Sequence, residues 1–177
     1  MRAQRWPGSP LAPAALAVFA SIIGFAVQPP SARATPPDPF FGTWNLERER
    51  SHYAKEAPPA RMTIVMEDAA QGLHYQSSTR YAGGRAGTSD YTASFNGTPA
   101  LVVGVTGFLA PVSLRRVDAA TIEATYTVGL KKIAWSRWSL NADGTELMVT
   151  TTYLGKDGEN RQNVAAFRRA KSVERAP

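Results

Sequence analysis

Between Trp44 and Arg169 apolar and polar positions alternate with a period of two, and Gly, Pro, Asn or Asp interrupts the pattern about every ten residues. Arg61 to Glu67 sets Met62, Ile64 and Met66 on one face. Leu73 to Tyr81 gathers Leu73, Tyr75, Ser77, Thr79 and Tyr81. Tyr91, Ala93 and Phe95 share the next face, which ends at Asn96-Gly97, a hairpin-turn dipeptide. Thr121 to Val128 alternates most regularly, with Ile122, Ala124, Tyr126 and Val128 facing one way and Thr121, Glu123, Thr125 and Thr127 the other. Lys132 to Leu140 groups Ile133, Trp135 and Arg137 opposite Trp138. Leu147 to Tyr153 and Asn160 to Arg169 complete the series.

No stretch of this region carries a helical period. Ser51 to Ala60, with Pro58-Pro59, reads as a loop, since proline breaks both helix and ladder. About ten short strands joined by short turns predict an all-β chain. Closing them into a single up-and-down antiparallel β-barrel of about eight to ten strands over residues 40–169 leaves no long unpaired edge.

The first 34 residues break this pattern: Arg2 and Arg5 precede an apolar run from Leu11 to Val27, and Ser31-Ala32-Arg33-Ala34 follows. A basic start, a short apolar core and an Ala-x-Ala end predict a signal peptide cleaved after Ala34. The core is short and alanine-rich, so no membrane span is expected after cleavage. Residues 35–39 form a Pro-rich linker, and 170–177 a polar, flexible tail.

Export changes the charge picture. The whole chain carries +6, but Arg2, Arg5 and Arg33 fall in the leader, which leaves 17 basic against 14 acidic residues. Mixed charges with so small an excess are no nucleic-acid footprint. Cysteine is absent, which excludes thiol catalysis, a lipid-modified cysteine and Cys-based metal sites. The expected location is the periplasm or the medium outside the cell.

A barrel filled by its own side chains carries bulky aliphatics inside, whereas these inward faces mix rings with hydroxyls. The predicted ligand-binding residues are Tyr75, Tyr91, Tyr126, Trp135, Arg137 and Tyr153. Arg137 is the polar anchor, because a buried guanidinium requires a partner. In the competing arrangement Trp135 and Tyr126 fill a solid core and Arg137 meets solvent. His52 and His74 are the only side chains with a neutral-pH base, and no hydrolase, phosphate-loop or zinc motif surrounds them. No catalytic residue, cofactor or metal is predicted. The expected function is binding of a small apolar or amphipathic molecule without transforming it. A dry barrel acting through an exposed Trp138 ranks second, and a barrel enzyme third.

Phe40-Phe41-Gly42-Thr43-Trp44-Asn45-Leu46 resembles the Gly-x-Trp opening of the lipocalins, and still more the Gly-Thr-Trp opening of the intracellular fatty-acid-binding proteins. The resemblance implies a calycin-like barrel whose Gly42 and Trp44 are structural, with an arginine of the last strand lying over the indole. Of the pair Arg168-Arg169 at that position, we assign Arg168. The region from Phe40 to Arg169 is also similar to small exported bacterial lipocalin-like proteins. The similarity is carried by Ser51, Tyr53, Asn96-Gly97, Leu114-Arg115-Arg116-Val117-Asp118, Asp143-Gly144-Thr145 and Asn163-Val164-Ala165. Two family features are missing. Ser51 to Ala60 is too short and proline-rich for a helical lid, and the last strand has no tyrosine to grip a lipid carboxylate with arginine.

Overall fold

A computed structural model describes residues 37–105, 109–155 and 157–171. The chain divides into two units, Met1–Thr35 and Pro36–Pro177, and every described residue belongs to the second. The leader, its cleavage point after Ala34 and the end of the tail lie outside the described residues.

Alternation becomes strand wherever it was read. The described residues form β1 (Gly42–Leu46), β2 (His52–Tyr53), β3 (Arg61–Ala69), β4 (Gly72–Arg80), β5 (Ala86–Ala93) and β6 (Val103–Val105). They continue as β7 (Val112–Asp118), β8 (Thr121–Val128), β9 (Lys131–Leu140), β10 (Glu146–Leu154) and β11 (Asn160–Arg169). One 3-10 turn, Arg48–Arg50, follows β1. All strands join one antiparallel sheet in the order β6-β5-β4-β3-β1-β11-β10-β9-β8-β7. Apart from the short β2 and the step from β6 to β7, neighbours in sequence are neighbours in the sheet; β1 pairs with β3 and with β11, Trp44 opposite Arg169. This is the expected up-and-down meander, curled until its first and last strands meet.

Between β5 and β7 the closure is different. Asn96-Gly97 does not make a tight hairpin. The long connection after β5 instead bridges to β7 at Asn96–Arg115 and Ala100–Val112. Ala100 and Val112 exchange both backbone hydrogen bonds, at 2.8 and 2.9 Å, and the Gly97 N–H donates to the Leu114 carbonyl at 3.0 Å. The two-residue β2, unforeseen in the sequence, pairs with β11 at the opposite rim.

The closed end is packed solid. Phe40, Trp44, Met66, Leu73, Leu114, Ile122, Leu147 and Phe167 are fully buried there. The Trp44 indole N–H donates to the Phe40 carbonyl at 2.9 Å. Asp38 accepts from the Phe40 N–H at 3.0 Å and pairs with Arg116, whose guanidinium lies over the Phe40 and Phe95 rings. Arg169, not Arg168, covers the indole, 4.1 Å from its centroid. It donates to the carbonyls of Gly144, Phe41 and Pro39. The assignment of Arg168 is therefore corrected by one residue. Phe167 points inward, so alternation sends Arg168 out, where it pairs with Glu47 and Glu146 at 2.6 and 2.9 Å. Gly42 is needed beneath Arg169. Its φ of 130° disfavours any side chain, and a Cβ would stand 2.7 Å from the guanidinium.

A β-bulge decides which residues face inward on the far wall. The β8–β9 hairpin starts with Val128 opposite Lys131, but the register shifts between Tyr126 and Thr127, so Tyr126 faces Ala134. One residue of slip turns Ala134, Ser136 and Trp138 inward and Trp135 and Arg137 outward. Val128, beside the hairpin turn at the end of β8, is 59% exposed.

Candidate ligand cavity

The inward side chains halfway up the barrel are small: Ala124 on β8, Ala134 and Ser136 on β9, Ala165 on β11, Ser77 and Thr79 on β4. A sheet curled to this diameter around such residues cannot fill its own centre. The result is a cavity of about 390 Å³. At roughly 30 Å³ per water-sized group, that holds about thirteen heavy atoms. Met66 and Phe167 reach it from the closed end. At the other end it meets solvent beside Lys55, Glu56 and Ala57, which are exposed on the β2–β3 loop.

All six tyrosines of the chain line this space: Tyr53, Tyr75, Tyr81, Tyr91, Tyr126 and Tyr153. Tyr75 and Tyr91, directly opposite on β4 and β5, stack at 4.8 Å with 15° between their planes. Trp138 sits 5.7 Å from Tyr75 and is buried. The hydroxyls form short chains. Tyr75 is hydrogen-bonded to Ser77 and Tyr126 to Ser136. Ser136 Oγ in turn lies 2.7 Å from Thr151 Oγ1, its cross-strand neighbour.

Burial holds these phenols neutral, because an apolar surround penalises phenolate. It pushes Tyr53 and Tyr126 up to about 12, and Tyr75 and Tyr91 well above the ordinary phenol value, with neighbouring phenols adding to the effect at Tyr53, Tyr75 and Tyr91. Tyr91 is 4% exposed, and its hydroxyl has no hydrogen-bond partner among the described residues. A buried polar atom in that state costs about 1–3 kcal/mol.

Four of the six predicted ligand-binding residues, Tyr75, Tyr91, Tyr126 and Tyr153, are brought to the cavity wall. Trp135 and Arg137 are not. Trp135 is 39% exposed, and Arg137 pairs outside the barrel with Glu123, its direct cross-strand partner, at 3.4 Å. The barrel thus has no arginine anchor at that position. Trp138, foreseen as an exposed surface aromatic, is 2% exposed and lines the cavity instead. Tyr53, Tyr81, Ser136 and Thr151 complete the wall. A count of tyrosines by strand parity would have found Tyr81, which shares its face with Tyr75. Tyr53 sits on β2, which no pattern announced.

Both histidines lie away from the cavity. His52 is exposed, and His74, on the outer face of β4, contacts Asp90 at 3.1 Å. Among the described residues no three His, Asp or Glu side chains are grouped to hold a metal ion, and no helix is long and apolar enough to cross a membrane.

No protein-family model matches the chain, and no curated protein matches it. Among solved structures it is similar to the zebrafish ileal bile acid-binding protein complexed with cholic acid. That match has a TM-score of 0.46 and 9% identity, and covers 75% of this chain and 99% of that one. The assignment as an all-β, up-and-down antiparallel sheet curled into a barrel stands on the strand order and register described above.

Proposed function

We propose that this is an exported binding protein that holds a small, mostly apolar molecule in the barrel without transforming it. The observation that carries the reading is the 390 Å³ cavity between a solid closed end and an open rim, lined by rings and hydroxyls. Small-molecule sites are of this kind: concave, largely apolar, with a few placed polar groups. Tyr75, Tyr91, Tyr126 and Tyr153 are the proposed contacts, joined by Trp138 in place of Trp135. Among the described residues the lining holds no histidine, and the carboxylate there, Glu56, lies on the exposed rim. Export rests on the leader pattern of residues 1–34 alone.

Native mass spectrometry of the protein purified from its own host tests the binding reading. The expected result is a co-purifying small molecule, and a mature N-terminus at Thr35. Val149 lines the cavity, so Val149→Trp fills it and is expected to abolish both the adduct and any ligand-induced thermal shift. Empty protein showing no thermal shift across a panel of lipids, pigments and aromatic compounds overturns the reading.

A further inference from the structure

We propose that the cavity selects a neutral carbonyl compound built on an unsaturated ring, and rejects the matching carboxylate. This rests on the binding reading above and names its ligand class.

The polar groups within the barrel are hydroxyls, with the amide of Asn163 near the rim. Among the described residues no lysine or arginine lines the deep part. The charged groups facing the opening are Lys55 and Glu56, adjacent, opposite in sign and exposed, with Arg85 4.0 Å from Glu56. An anion entering this space gives up its hydration and gains no cation in return. A carbonyl oxygen loses much less on entering, and phenols are well suited to donate to it.

The Tyr91 ring lines the cavity, while its hydroxyl is buried in the wall with no hydrogen-bond partner among the described residues. Its neighbours Tyr75 and Tyr126 stay protonated throughout the neutral range. The stacked Tyr75–Tyr91 pair and Trp138 supply ring surfaces that favour another ring, in offset or edge-on contact.

The selectivity has a magnitude. A free carboxyl group titrates near pH 4.3, so at pH 7 only about one molecule in several hundred is neutral. If only that form enters, an acid is weaker than its neutral counterpart by up to that factor. The gap then closes about tenfold for each pH unit on the way down to pH 5. The phenols do not titrate in this range, so the pH dependence belongs to the ligand.

Isothermal titration calorimetry of the full mature chain with four size-matched probes provides the test: 2-acetylnaphthalene, 2-naphthoate, 2-isopropylnaphthalene and 2-acetyldecalin. The ketone is expected to bind at least about tenfold more tightly than the naphthoate at pH 7, with the difference shrinking towards pH 5. It should also bind several-fold more tightly than the isopropyl compound, which lacks the acceptor, and the decalin, which lacks the ring. Naphthoate binding equal to the ketone at pH 7, or independent of pH, overturns the proposal. So does equal binding of the isopropyl or decalin probe. If none of the four binds, this inference is overturned, and the binding reading stands or falls separately on the native mass spectrometry and the wider thermal-shift panel.

Discussion

The two ends of this barrel are built from the same alternating strands, yet one is solid and the other hollow. At the closed end the inward positions carry Trp44, Phe167, Leu114, Ile122 and Leu147, and Arg169 seals the outside of the indole. Halfway up, the same strands offer Ala124, Ala134, Ser136, Ala165 and Thr151, backed by tyrosines at the wall. The backbone scaffold is shared, so side-chain volume alone separates plug from pocket. Stability should therefore concentrate at the closed end, and recognition at the open one.

Trp44→Ala is the most damaging way to probe this division. It removes the largest fully buried side chain and its hydrogen bond to the Phe40 carbonyl. A loss of about 3–5 kcal/mol is expected in urea unfolding. A loss below about 1 kcal/mol would mean that the plug does not hold the barrel together.

Alkaline pH attacks the open half selectively. The unfolded chain loses its phenol protons near pH 10, whereas Tyr53 and Tyr126 keep theirs until about 12. Above pH 10 the unfolded state therefore binds fewer protons than the native one, and stability falls as pH rises. It is unaffected by these groups below pH 10. By pH 11 the cost is on the order of 1 kcal/mol for each of the two. Denaturant midpoints measured from pH 8 to 11 should stay flat and then drop. A flat profile to pH 11 would mean that the phenols are open to bulk water.

How far these two halves were legible in the sequence differs for physical reasons. The closed end was written locally: Gly42-Thr43-Trp44 announced the plug. The one error there, Arg168 for Arg169, is resolved by the parity of Phe167. The cavity depended on a feature with no local signature. Counting back from the β8–β9 turn without a bulge sets Ala124 opposite Trp135, which places Trp135 and Arg137 inside. The one-residue shift after Tyr126 reverses both. One clue was present nevertheless. Glu123 stood on the outward face of β8, and a barrel interior with no anion gives Arg137 every reason to join it there.

The neighbouring arginines of β11 provide a finer comparison. Arg169→Lys keeps the charge but loses the flat stack on Trp44 and most of the fork that ties together the carbonyls of Gly144, Phe41 and Pro39. A loss of about 1–2 kcal/mol is expected. Arg168→Lys alters only an exposed ion-pair cluster and should leave the urea midpoint where it is. Equal effects from the two would return the sealing role to the pair as a whole.

The smallest expected effect is the most telling about the hollow half. Tyr75→Phe and Tyr91→Phe delete the same atom from two rings stacked on each other. Tyr75 gives up its bond with Ser77, and about 0.5–1.5 kcal/mol of stability should go with it. Tyr91 gives up a hydroxyl that has no partner among the described residues, so removing it relieves a desolvated group. The ligand-free protein should be unchanged or more stable by up to about 1 kcal/mol. If Tyr91→Phe instead destabilises the empty protein as much as Tyr75→Phe does, that hydroxyl is already satisfied, and the open half is a second structural core.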